Sequence, residues 1–67
     1  MERFAKNLET LIKEKGMTQK GFAKNFGVSK NQVHYWIKGK AEPDLEMLTR
    51  IARYFEVSTD YLLDIDY

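Results

Sequence analysis

Apolar residues along this chain recur at three- and four-residue intervals, the spacing that gathers them on one side of an α-helix. Phe4, Leu8, Leu11 and Ile12 are separated by Lys, Glu and Asn, which predicts an amphipathic first helix over residues 3–15, ended by Gly16. Thr18 is suited to be the N-cap of a second helix from Gln19 to Phe26, with Met17 and Phe22 placed as a hydrophobic staple. Gly27 closes that helix and Val28 leads straight into the next. Ser29 with Gln32 three residues on has the form of a capping box, and Val28 can staple to Val33. In the third helix Val33, Trp36 and Ile37 are expected to face inward, leaving Lys30, Asn31, His34, Tyr35 and Lys38 on the outer surface. Gly39 ends it, and residues 40–43 form a loop.

Asp44 can cap a fourth helix whose apolar stripe is Leu45, Leu48, Ile51, Ala52 and Phe55. Ser58 can cap a short fifth, with Asp60 in its favourable first turn and Tyr61, Leu62 and Leu63 as packing candidates. Period-two alternation long enough for a strand is missing from the sequence. The predicted fold class is all-α, five short helices with tight connections.

Length and composition narrow this further. A chain of 67 residues has room for one core, so residues 1–67 read as a single domain with its core in 4–63 and a short acidic tail at 64–67. The nine aromatic residues provide the large side chains that so small a core needs. With no cysteine and a single histidine, His34, neither disulfides nor a Cys/His metal site is expected, and no cofactor. The start of the chain has no apolar signal core, and no stretch nears the roughly 20 apolar residues of a membrane span. The expectation is a cytoplasmic protein with no membrane partner.

Net charge is only +1, but its distribution is uneven. Residues 1–40 hold nine bases and three acids, whereas residues 41–67 hold two bases, Arg50 and Arg53, and seven acids. Between Glu14 and Glu42 there are six lysines and no acid. A basic region beside an acidic remainder is an electrostatic footprint for a polyanion.

Two helices joined by the minimal Phe26-Gly27-Val28 turn must change direction sharply, which is the geometry of a helix-turn-helix over residues 18–38. The second helix of such a unit fits the major groove of DNA, where side chains reach base edges. Lys30 can donate to guanine or phosphate, Asn31 can pair with adenine, Tyr35 offers a hydroxyl and a ring for a thymine methyl, and His34 stands beside them. These four are the candidate base contacts. Gln19, at the start of the second helix where free amides favour an anion, is a candidate phosphate contact, as are Lys38 and Lys40.

The stretch Thr18-Gln19-Lys20-Gly21-Phe22-Ala23, then Gly27-Val28-Ser29, Val33, Trp36, Gly39-Lys40 and Pro43, resembles the Cro/C1-type (XRE) helix-turn-helix family of phage repressors and bacterial regulators. The ending Ile51-Ala52, Phe55, Val57-Ser58 and Tyr61-Leu62-Leu63 is similar to the last two helices of that family. The resemblance covers residues 4–63 and implies a lambda-repressor-like five-helix domain that binds double-stranded operator DNA, usually as a dimer, to regulate transcription. It implies a phosphate-binding role for Gln19, base reading at Lys30, Asn31 and Tyr35, and backbone contacts at Ser29, Lys38 and Lys40. Three positions depart from the pattern. Gly21 and Ile37 stand where family members often carry glutamate, and Glu56 stands where a glycine would ease the helix exit, which leads us to expect a different backbone path there.

One domain reading a few bases distinguishes little sequence, so a homodimer on a palindromic operator is expected, with half-sites about 34 Å apart. The acidic C-terminal region, at Tyr61, Leu62, Ile65 and Tyr67, is the expected self-contact, with the alternative that the core takes up Leu62 wholly. The sequence shows no metal cluster, thiol, phosphate loop or acidic dyad, and His34 has no evident nucleophile or orienting carboxylate, so no enzyme is expected. The alternatives are a protein-protein interaction module and an antitoxin on the same scaffold.

Overall fold

Local capping chemistry sets the helix boundaries in the computed structural model, which describes residues 2–63. Five helices follow in order, α1 (Glu2–Glu14), α2 (Gln19–Phe26), α3 (Lys30–Ile37), α4 (Leu45–Phe55) and α5 (Thr59–Leu63). Each predicted N-cap forms. The Thr18 hydroxyl accepts from the Gly21 N–H at 2.9 Å, Ser29 from Gln32 at 3.0 Å, the Asp44 carboxylate from Met47 at 2.8 Å and Ser58 from Tyr61 at 3.0 Å. Each bond satisfies a backbone donor that the helix start leaves free, worth about 1 kcal/mol.

The inward faces of all five helices meet in one core, built on Phe4, Leu8, Phe22, Val33, Trp36, Ile51 and Leu62. α2 packs on α3, while α1 lies against both α3 and α5. Phe22 is the hub of an aromatic cluster. Its ring lies 5.1 Å from that of Phe26, 5.3 Å from Tyr54 and 5.3 Å from Phe55. These separations fall in the range where aromatic pairs add about 0.5–1.5 kcal/mol beyond simple burial. Asn7 of α1 donates to the backbone carbonyls of Tyr61 and Leu62 at 3.0 and 3.2 Å. It thereby joins the first helix to the last.

Two expectations are corrected. Leu45 does not belong to the apolar stripe of α4: it is 77% exposed. It sits in the first turn at the margin of that stripe, while Leu48, Ile51, Ala52 and Phe55 are buried. Glu56 does not send the chain along a different exit. It adopts the left-handed conformation itself, with φ 57° and ψ 42°, and its N–H reaches the carbonyls of Ala52 and Arg53. The glycine-type ending is kept and a β-carbon is forced into it.

That conformation costs an L-residue roughly 1–2 kcal/mol, of which glycine recovers part after its greater unfolded-state freedom is counted. Glu56→Gly is therefore expected to stabilise the chain by about 1 kcal/mol and raise Tm by about 4–8 °C. Thermal unfolding followed by circular dichroism measures this, and an unchanged or lower Tm would count against strain at Glu56.

Candidate nucleic-acid interface

The joint between α2 and α3 is fixed by a glycine and an arginine. Gly27 has φ 93°, a conformation that glycine enters without steric cost. From it the N–H groups of Gly27 and Val28 both return to the Ala23 carbonyl, at 2.9 and 3.0 Å. The Phe26 carbonyl accepts from Arg50 Nη2 at 3.3 Å, and the Arg50 guanidinium lies 4.7 Å from the centre of the Phe26 ring. Arg50 thus clamps the last turn of α2 from α4. Sequence reasoning counted it only as a charge in the acidic half, because a clamp between distant segments has no local signature.

Burial then orients α3. Val33 and Trp36 are buried and Ile37 is partly buried against the core, so the helix can turn only its other side outward. Lys30, Asn31, His34 and Tyr35, the four expected base contacts, are all exposed. Lys30, His34 and Lys38 succeed one another at four-residue steps, which aligns them in one row, and Asn31 and Tyr35 form the adjacent row. Tyr35 is 45% exposed, with its ring centre 6.0 Å from that of His34. It belongs to the outer face.

Lys38 and Lys40 flank a second left-handed glycine. Gly39, at φ 73°, lets its own N–H reach the Trp36 carbonyl at 3.2 Å and the Lys40 N–H reach that of Tyr35 at 2.9 Å. This closure ties Lys40 to the end of α3 rather than leaving it in a free loop. At the opposite end, the Ser29 oxygen is engaged in capping, and its hydroxyl proton remains available as a donor. Gln19 is the first residue of α2 and is half-buried. Neither α2 nor α3 has an acid in its first turn, so no carboxylate offsets the positive end of either helix.

Gly21 is packed close to its own cap. A β-carbon there would lie 3.1 Å from the Thr18 hydroxyl oxygen, tighter than an ordinary contact. Of the expected self-contact residues, Tyr61 is 48% exposed, whereas Ile65 and Tyr67 lie outside the described residues. Leu62 is fully buried and belongs to the core. Among the described residues no three His, Asp or Glu side chains gather as a metal site. No helix among them is long and apolar enough to cross a membrane.

A capped helix, a left-handed glycine turn and a second helix with a polar, acid-free outer face define a helix-turn-helix in a lambda-repressor-like five-helix fold. Comparison with known proteins agrees. A helix-turn-helix family model matches residues 8–62, and the chain belongs to this family of DNA-binding transcriptional regulators. It is 37% identical over 60 residues to the SPbeta prophage-derived HTH-type transcriptional regulator YonR of Bacillus subtilis, covering 90% of this chain and 56% of that protein. It is 35% identical over 60 residues to the HTH-type transcriptional activator BcrR of Enterococcus faecalis, covering 90% of this chain and 29% of that one. The solution structure of a LexA SOS-response repressor from Eubacterium rectale superposes with a TM-score of 0.81 at 33% identity, covering 97% of this chain and 74% of that chain. The chain spans about half the length, or less, of the curated relatives it matches.

Substituting Gly39 tests the closure that holds Lys40. Nothing lies within 4 Å of a β-carbon placed there, so backbone strain alone decides the outcome. Gly39→Ala is expected to lose about 1 kcal/mol, and Gly39→Asn less, because asparagine tolerates the left-handed region better than alanine. Urea unfolding of both variants checks the order; equal stability of Gly39→Ala and the parent would remove the proposed constraint.

Proposed function

We propose that this chain is a Cro/C1-type (XRE) regulator that binds operator DNA sequence-specifically and acts as a repressor. α3 enters the major groove, with Lys30, Asn31, His34 and Tyr35 against base edges. Gln19, Ser29, Lys38 and Lys40 hold phosphates on either side. The observation that carries this reading is the outer face of α3, exposed and free of acid while Val33 and Trp36 bury its inner face. A groove about 12 Å wide accepts one helix presented in this way. The likeness to YonR, named a transcriptional regulator, and to a LexA repressor supports it.

A homodimer on a palindromic site would double the sequence read, and Tyr61 is an exposed residue of the region proposed for that contact. We assign the domain no catalytic role and no cofactor. The likeness to BcrR, named an activator, makes activation the second reading, since the same duplex contacts serve either outcome.

Selection of bound duplexes from a random pool separates base contacts from phosphate contacts. Asn31→Ala is expected to relax preference at one or two base pairs, with a loss of about 1–3 kcal/mol of discrimination there. Lys38→Ala is expected to weaken all duplexes alike and lower the slope of log affinity against log salt by about 1. If both variants change every duplex equally, the assigned roles fail; if the parent shows no sequence preference, the operator reading fails with them.

A further inference from the structure

The peptide that leads from α2 into its turn is held at both of its polar ends. Its N–H, that of Gly27, donates to the Ala23 carbonyl at 2.9 Å, and its C=O, that of Phe26, accepts from Arg50 Nη2 at 3.3 Å. The Phe26 carbonyl closes α2 and is among the last four that a helix leaves without an internal partner, at the end where the helix dipole favours a cation. Arg50 reaches it from α4, 24 positions further along the chain. The guanidinium is oriented on two more sides, by the Phe26 ring with its centre 4.7 Å away and by the Met47 sulfur 3.8 Å from Nη1. Its chain neighbours Leu48 and Ile51 are buried and seat α4 in the core.

What this hold controls is the start of α3. A peptide unit is planar and turns as one body, and Gly27, at φ 93°, has no β-carbon to resist rotation at the next bond. Fixing the Phe26–Gly27 plane at both ends therefore supplies from outside the restraint that the glycine lacks. The first turn of α3 depends on it, because Lys30 and Asn31 are exposed and Gln32 is half-buried, so the first side chain of that helix to be buried is Val33. The turn that carries two of the proposed base contacts thus takes its position from the residues just before it.

We propose that Arg50 is a positioning residue for DNA binding: by fixing the Phe26–Gly27 peptide it sets Lys30 and Asn31 in register with the phosphate grip of Gln19, and it touches no DNA itself. This role rests on the major-groove reading of α3. Its effect falls on discrimination rather than on attraction. A lysine head follows its phosphate on a flexible stem and tolerates a small displacement of α3, whereas a bidentate base contact such as that of Asn31 requires a fixed approach. A loosened turn therefore blurs sequence preference and leaves non-specific binding nearly as it was.

Arg50→Lys keeps the charge and loses the planar fork, and Arg50→Met loses both while keeping an apolar stem beside the Phe26 ring. Arg50 is exposed, so both variants are expected to fold. The full chain and both variants are titrated, well below their Tm, with a duplex that the parent selects from a random pool and with a scrambled duplex, each over a series of salt concentrations. Both variants are expected to bind the selected duplex roughly tenfold more weakly, the scale of one lost base contact, with the scrambled duplex and the salt slope changed little. In the free chain the amide resonances of Gly27 and Lys30 are expected to move in both variants. Parental affinity in Arg50→Lys, with a salt slope lower by about 1 in Arg50→Met, would mark Arg50 as a phosphate contact and overturn the proposal. So would variants that lose only resistance to urea and still discriminate as the parent does, which marks a purely structural role. A parent that itself fails to prefer the selected duplex would overturn the major-groove reading, and the role of Arg50 with it.

Discussion

The position of α2 rests on the ring of Phe22. It is fully buried and in contact with three further aromatic rings, two of them, Tyr54 and Phe55, contributed by α4. A helix of eight residues is too short to be stable in water alone, so α2 exists because this cluster holds one of its faces. Arg50 adds a second hold at the Phe26 end. With α2 fixed against α4, the left-handed Gly27 determines where α3 starts, and Val33 and Trp36 determine its rotation. The outer face of α3 is therefore a residual: it presents to solvent whatever the core does not claim.

That arrangement divides the residues of α3 into two independent sets. Val33 and Trp36 can change only at the cost of the fold, whereas Lys30, Asn31, His34 and Tyr35 make no contribution to the buried core. A scaffold of this kind can alter what it reads without altering how it folds. Acids are excluded from the first turns of both helices, although a carboxylate there would stabilise each helix by a few tenths of a kcal/mol. The positive ends of both helices are thereby left without a compensating carboxylate.

Most of the fold was legible in the sequence because its determinants are local. Helix periodicity, the four N-caps and the glycine endings each involve residues within about five positions of one another, and each formed as read. Trp36 was legible as a core residue for the same reason, through its spacing from Val33. Leu45 was misread because periodicity reports a direction around a helix axis and says nothing about whether a neighbour faces that turn. Glu56 was misread because the penalty of a left-handed residue is small beside the packing of Phe55 and Val57 on either side. The hold of Arg50 on Phe26 could not be read at all, since it joins segments far apart in the chain. The outer residues of α3 were legible as a set of exposed side chains, but sequence pattern does not distinguish a base contact from a phosphate contact.

The two hydrogen bonds from Asn7 to the end of α5 bear on how the molecule moves. They connect residues 54 and 55 positions apart, so nearly the whole chain is a loop closed at that seam, and closing long loops costs more entropy than closing short ones. α5 has only five residues and is held by Leu62 and Leu63 against the core and by this one amide. With so few anchors it is the element of lowest expected local stability. None of the rings around Phe22 comes from α5, so an opening of α5 would leave those ring contacts in place. The closure of the long loop and the placement of α2 thus rest on separate contacts, one amide of α1 and one cluster of rings.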